Sequence, residues 1–156
     1  MARNDERWGA DLRLLDNLDR QNDRDRGSDL FTIRRPETSE FDLETLDGAD
    51  NLKQALLLRF LTQAGELAAL GHPDYGSRLY ELIGERNTET NRNRAKLFVL
   101  QALAAEPRVK EVRSVRVTQG RDDRTRIDID VSLVAIDSDT PLNLVFPFFL
   151  EGGVTL

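Results

Sequence analysis

A chain of 156 residues suffices for one domain with a real core plus a tail, because a domain of this size buries roughly two-thirds of its unfolded surface. With 32% charged and 39% hydrophobic residues and a mean hydropathy of −0.49, its exterior is heavily solvated, and its apolar runs fall far short of the ~20 residues that cross a bilayer. The absence of cysteine excludes disulfides, thiolate nucleophiles and thiolate zinc sites, and a net charge of −6 argues against a phosphate-binding surface and so against nucleic acid as a partner.

No charged n-region followed by an apolar stretch opens the chain, so the expected location is cytoplasmic. The first 28 residues are dense in Arg and Asp with few apolar positions, and residues 1–48 are expected to form a charged arm with short helix and strand segments. Within it Trp8, Leu12, Leu15 and Leu18 recur at helical spacing. They predict a short helix, either folded back on the body or docked on a partner. Leu30 to Ile33 and Phe41 to Leu46 read as extended segments separated by a turn at Pro36.

A main domain is expected over residues 49–151, followed by a tail over 152–156. Its first helix starts near Asp50, after an Asp47-Gly48 turn, and carries Leu52, Leu56, Leu57, Phe60, Leu61 and Ala64 on one broad face. Gly65 and Gly71 interrupt it. Pro73 suits the first turn of a second helix that holds Leu79, Leu82 and Ile83 until Gly84. A third helix starts near Asn87 or Thr88, runs through Ala95, Phe98, Val99, Ala102 and Leu103, and ends before Pro107, which disfavours α geometry at Glu106.

The period then changes from 3.6 to 2. Val109 to Thr118 predicts a strand, residues 119–123 its turn, and Arg124 to Ile136 a long return strand. Ile127, Ile129, Val131, Leu133 and Ala135 face one side of that strand, and Arg124, Arg126, Asp128, Asp130 and Ser132 the other, which predicts one buried and one wet face. The last strand runs through Leu142, Asn143, Leu144, Val145, Phe146, Pro147, Phe148, Phe149 and Leu150. Leu142, Leu144, Phe146 and Phe148 make one face apolar, and Val145 and Phe149 make the other apolar too. Such a strand at a sheet edge needs a cover, either a second chain or the domain's own helices with Pro147 guarding the edge. The expected class is α+β: three main helices packed on a small antiparallel sheet with a long C-terminal hairpin or meander.

Chemistry is sparse. His72 is the only histidine and sits between Gly71 and Pro73, which suits a turn better than a metal site or a triad. No Gly-rich phosphate loop or nucleophile elbow is present. Glu66, Glu81 and Glu106 lie nearest apolar helical surfaces and are the candidates for a glycosidase pair, which needs two carboxyls about 5 to 9 Å apart, one with a raised pKa. Asp128 and Asp130 share a strand face, but Arg124 and Arg126 share it as well, so a self-neutralising surface is the favoured reading. Glu106-Pro107-Arg108 stands at the joint of the last helix and the first long strand, where proline fixes the backbone beside two opposite charges. It reads either as an ordinary Pro-terminated helix or as an Arg fork set to pair with a carboxylate on another chain.

The order of these elements adds context. The run Asn51-Leu52-Lys53-Gln54-Ala55-Leu56-Leu57-Leu58-Arg59, then Gly65-Glu66-Leu67, Gly71 to Leu79, Glu81-Leu82-Ile83-Gly84 and Glu106-Pro107-Arg108 resembles the baseplate wedge family of contractile tails. That family includes a lysozyme-like phage wedge protein and its type VI secretion counterpart. The likeness spans roughly Asp50 to Phe149 and is nearest the sheath-initiator branch of phage-like injection systems.

The resemblance implies a structural protein rather than an enzyme, with no cofactor and no membrane partner. It implies late strands that imitate those of a sheath subunit, so that neighbouring sheath chains donate strands at residues Leu142 to Leu150, which is recognition by β-augmentation. It places Glu106, Pro107 and Arg108 at the contact with baseplate wedge proteins. It also implies six copies per baseplate in an assembled particle, and leaves inner-tube or hub proteins as candidate partners of the arm. Two alternatives of other classes stand beside it: a peptidoglycan-degrading, lysozyme-like baseplate enzyme, and a free-standing protein-binding regulator of the same fold.

Overall fold

The computed structural model describes residues 8–15, 18 and 30–150. The remainder of the N-terminal arm and the expected tail over 152–156 lie outside the described residues. Four short strands come first: β1 (Ala10–Leu12), β2 (Thr32–Arg34), β3 (Phe41–Leu43) and β4 (Thr45–Asp47). Helix α1 (Gly48–Leu61) follows, then two single 3-10 turns (Ala68–Leu70 and Leu79–Leu82), helix α2 (Glu89–Ala104), and the long strands β5 (Val109–Gln119), β6 (Arg126–Ala135) and β7 (Pro141–Phe149).

The mixed α+β class is as expected, but the helix count is not: among the described residues two helices form where three main ones were predicted. The missing one is the second, expected after Pro73. Its apolar positions do reach the core, since Leu79 and Leu82 are fully buried. The backbone around them cannot coil, because Gly71 and Gly76 take φ of +89° and +112°, left-handed values that terminate a right-handed helix. The same stretch is pinned back on the end of α1. Gln63 and Ser77 form a parallel bridge, Ser77 N–H donates to Thr62 O at 2.9 Å, and the Ser77 hydroxyl donates to Phe60 O at 2.7 Å.

The two helices that do form have ordinary causes. The Thr88 side chain caps α2 by accepting from Asn91 N–H at 3.2 Å. In α1 the apolar side chains at Leu52, Leu56, Leu57 and Phe60 recur at helical spacing and are buried. Antiparallel β5, β6 and β7 form a meander of that order. The inward residues Ile127, Ile129, Val131 and Leu133 of β6 and Leu142, Leu144, Phe146 and Phe148 of β7 meet Leu52, Leu56 and Phe60 of α1 and Phe98, Val99 and Leu103 of α2 in one core. Phe60 and Phe146 stack with ring centroids 5.0 Å apart, which fixes α1 over β7.

The N-terminal residues differ in conformation from the helix predicted there. Ala10–Leu12 is a strand paired antiparallel with β4, Asp11 opposite Leu46. Trp8, Leu15 and Leu18 are nonetheless buried in the common core, and between Trp8 and Leu15 the chain runs extended through Ala10–Leu12. Gln54 of α1 holds that route. Its side-chain oxygen accepts from Leu14 and Leu15 N–H at 2.8 and 3.1 Å, and its amide donates to Leu12 O at 2.7 Å. These are sheet-like backbone groups satisfied by one side chain, which is why a helix is not needed to bury the stripe.

Gly76→Ala is expected to destabilise the fold by about 1–3 kcal/mol, because a Cβ there falls 2.7 Å from Thr62 O at a φ that L side chains rarely adopt. A urea denaturation curve measures it. A loss below about 0.5 kcal/mol, the usual scatter for surface substitutions, contradicts this account of the missing helix.

Candidate functional site

Strand β7 ends the sheet, with β6 on one side and no strand on the other among the described residues. Its inward residues Leu142, Leu144, Phe146 and Phe148 are buried beneath the helices, so one of its two apolar faces is covered by its own chain. The other face is half-open. Val145, Pro147 and Phe149 are partly exposed, opposite Asp130, Asp128 and Arg126 of β6.

The outer face of β6 is ion-paired within itself. Arg126 Nε meets Asp128 Oδ1 at 2.9 Å and its Nη2 meets Asp122 Oδ1 at 2.9 Å, as expected for a self-neutralising surface. The far edge, on β5, is of another kind. It carries register irregularities between Val109 and Glu111 and between Val112 and Ser114, with Lys110, Glu111, Arg113 and Arg116 exposed along it. Bulges and charges of this sort discourage edge-to-edge pairing.

The second site is the corner after α2. Glu106 is 5% exposed. Its Oε2 accepts from Arg59 Nη2 at 3.0 Å and from Arg108 Nη2 at 3.2 Å, while Oε1 accepts from Arg108 Nε at 2.6 Å and Arg108 N–H at 3.3 Å. Burial opposes ionisation of this carboxyl, but the hydrogen bonds and charge of Arg108, with Arg59 behind, outweigh it and hold it below the usual glutamate range. Pro107 is exposed, and the Arg108 side chain is 25% exposed. Arg108 Nη1 also donates to Trp8 O at 3.1 Å. Most of the guanidinium fork is thus engaged within the chain.

Sequence reasoning missed three members of this corner. Arg59 lies on α1 seven residues after Leu52, on the buried face, and a charge at such a position implies a buried counter-ion; that was the available signal. Tyr75, whose ring lies 4.6 Å from the Arg59 guanidinium carbon, gave no signal, because its loop crosses α1 only through the Gly76 turn. Nor did Trp8. Its carbonyl receives Arg108 and, at 3.1 Å, the Asn51 amide, and its indole N–H donates to Ile136 O at 3.0 Å.

The remaining candidates stay apart. His72 and Glu66 are exposed on the loop between the helices. Glu81 is clasped by Arg78 through two bonds of 2.9 and 3.0 Å, and the Arg78 hydrogen bond lowers its pKa. A glycosidase acid needs a carboxyl held protonated by an apolar site; arginines keep both Glu81 and Glu106 ionised. Among the described residues no group of three or more His, Asp or Glu is placed to hold a metal ion, and no helix is long and apolar enough to cross a membrane.

Residues 31–137 match the family described as contractile injection system sheath initiator. The fold is similar to a crystal structure from Geobacter sulfurreducens described as a tail lysozyme, with a TM-score of 0.56 and 25% sequence identity, over 65% of this chain and 89% of that one. No match was found among curated proteins.

Glu106→Gln keeps the shape of the corner but leaves Arg59 and Arg108 facing a neutral group, and is expected to cost about 3 kcal/mol near neutral pH. Because the folded pKa of Glu106 lies below its ordinary 4.5, its contribution is complete above that value and is lost as pH falls through the folded pKa. The stability gap between the parent chain and Glu106→Gln should therefore hold near neutral pH and shrink as the pH is lowered below 4.5. A gap that stays constant or widens on acidification contradicts the pairing.

Proposed function

The chain belongs to the contractile injection system sheath initiator family, and on that premise we propose that it is the baseplate subunit on which the first sheath ring is laid down, by accepting an extended segment of a sheath subunit along the open edge of β7. The family match carries a structural role in the baseplate and interaction with sheath and baseplate components. The strand-accepting mechanism rests on one observation: β7 is nine residues long, roughly 30 Å, sealed on its inner face, and unpaired along its outer edge among the described residues. An extended peptide adds to such an edge through backbone hydrogen bonds. Contraction energy resides in the sheath, so the subunit needs neither cofactor nor reactive group.

The corner at Glu106-Pro107-Arg108 is the proposed wedge contact. Glu106 is turned inward and acts through Arg108, holding the guanidinium in place. Pro107 and the exposed quarter of Arg108 form the surface offered to the wedge. The described segment from Trp8 to Leu15 serves as a strap laid on the body, which the anchoring of Trp8 by Arg108 and Asn51 supports. The description of the Geobacter protein as a tail lysozyme favours a muralytic second reading, which the ionised state of Glu81 and Glu106 opposes. Release of peptidoglycan fragments by the purified chain, lost in Glu106→Gln, is the result that revives it.

Particles assembled without this chain should show wedges and tubes bearing no sheath by negative-stain microscopy, and sheathed tubes of ordinary abundance would remove the proposed role. Pro107→Glu, which leaves the Glu106 pairing intact, should lower recovery of the subunit with purified baseplates at least tenfold. Full recovery moves the wedge contact elsewhere.

A further inference from the structure

The direction in which each backbone group of β7 points follows from its pairing. Leu150 N–H donates to Thr125 O at 2.8 Å, and Arg126 O instead receives Gly120 N–H from the β5 side at 2.9 Å. In an antiparallel pair these orientations alternate strictly. With Arg126 opposite Phe149 and the register unbroken to Val134 opposite Pro141, the odd residues of β6 bond to the even residues of β7. The outer edge is therefore built from Pro141, Asn143, Val145, Pro147 and Phe149.

Both prolines of the strand fall on this outward set. A proline keeps its carbonyl but has no N–H to give, so Pro141 and Pro147 present acceptors alone. Between them Asn143 and Val145 each present a donor and an acceptor. None of the five outward residues is charged, in contrast to the lysine, glutamate and arginines along the β5 edge. Proline is one means of guarding an edge strand, and charge is another. A guard meant to close this edge altogether would place proline or charge at its centre; here the blocked positions flank an unblocked pair.

We propose that Pro141 and Pro147 act as register stops, confining strand addition on β7 to one window in which Asn143 and Val145 make the paired backbone bonds. The inference rests on the sheath-seeding reading and narrows it: the partner is an extended sheath segment of about five residues lying between the two prolines, the length of 142–146 at about 3.3 Å per residue. The residues facing Asn143 and Val145 use both backbone groups and cannot themselves be proline. A slip by two residues sets a donor-acceptor residue of the partner against Pro141 or Pro147 and leaves a carbonyl unanswered, which costs roughly 1–3 kcal/mol where the interface is dry. The stops thus favour one register over its neighbours.

Amide-resolved hydrogen exchange by NMR on the full chain tests the orientation first. Asn143 and Val145 should exchange at least a hundredfold faster than Leu144 and Phe146, and the reverse order overturns the proposal. Binding of the sheath protein from the same particle tests the window. It should protect Asn143 and Val145, and Val145→Pro should weaken it at least tenfold while leaving the slow amides of Leu144 and Phe146 slow, whereas Val145→Thr, which keeps the N–H, should bind as the parent does. Protection of the two amides together with undiminished binding of Val145→Pro overturns the window and leaves the sheath-seeding reading standing. Sheath binding that protects no amide of β7 overturns both. Should Val145→Pro unfold, Pro147→Ala supplies the second measurement: it adds a donor beyond the stop, and protection extending to residue 147 supports the stop, while a window unchanged at 143 and 145 overturns it.

Discussion

One stacked pair sets the terms for the rest of the molecule: Phe60 of α1 against Phe146 of β7, 5.0 Å between ring centres. It lays the first helix across the last strand and closes the inner face of the sheet at its margin, so that Leu144 and Phe146 are buried without help from another chain. What a helix cannot do from above is satisfy the backbone groups along the strand's side. Those groups need water or another strand. The fold therefore completes its core and, among the described residues, leaves a sheet edge without a partner strand, the combination on which the proposed strand addition rests.

The corner around Glu106 supplies the second tie. Two arginines from different elements converge on one buried carboxylate, and Arg108 passes the connection to the carbonyl of Trp8. Trp8 in turn reaches Ile136 at the end of β6. Helix α1, the start of β5, the N-terminal segment and the turn before β7 are thus joined through a few hydrogen bonds, of which those of Arg59 and Arg108 are charge-assisted. Such a pair contributes geometric definition more securely than net stability, since the cost of desolvating the ions offsets much of their attraction.

Legibility in the sequence followed the range of the forces involved. Strands β5, β6 and β7 and helices α1 and α2 were readable because each buries one face, and burial writes its period into the chain; Ile127, Ile129, Val131 and Leu133 are the plainest case. The buried and open faces of β7 were readable as two apolar sets, though their pattern left open which of them the helices cover. The expected helix after Pro73 failed because Leu79, Leu82 and Ile83 carry helical spacing while Gly71 and Gly76 impose left-handed turns. The spacing of Trp8, Leu12, Leu15 and Leu18 misled in the same way, since Ala10–Leu12 is a strand and Gln54 bonds the backbone of Leu12, Leu14 and Leu15. Of the corner, Glu106 and Arg108 were found as neighbours in sequence. Arg59 and Trp8 were missed as partners because they are distant in sequence, 47 and 98 residues from Glu106, and only the folded chain brings them together.

The central claim is that a foreign strand occupies the outer side of β7. Cryo-electron microscopy of the assembled particle, at a resolution that traces the backbone, tests it most directly. The account predicts a segment of a sheath subunit running alongside 142–146, its backbone bonded at Asn143 and Val145. An outer side of β7 that is bare in the sheathed particle, or that is occupied by residues of this same chain, contradicts it.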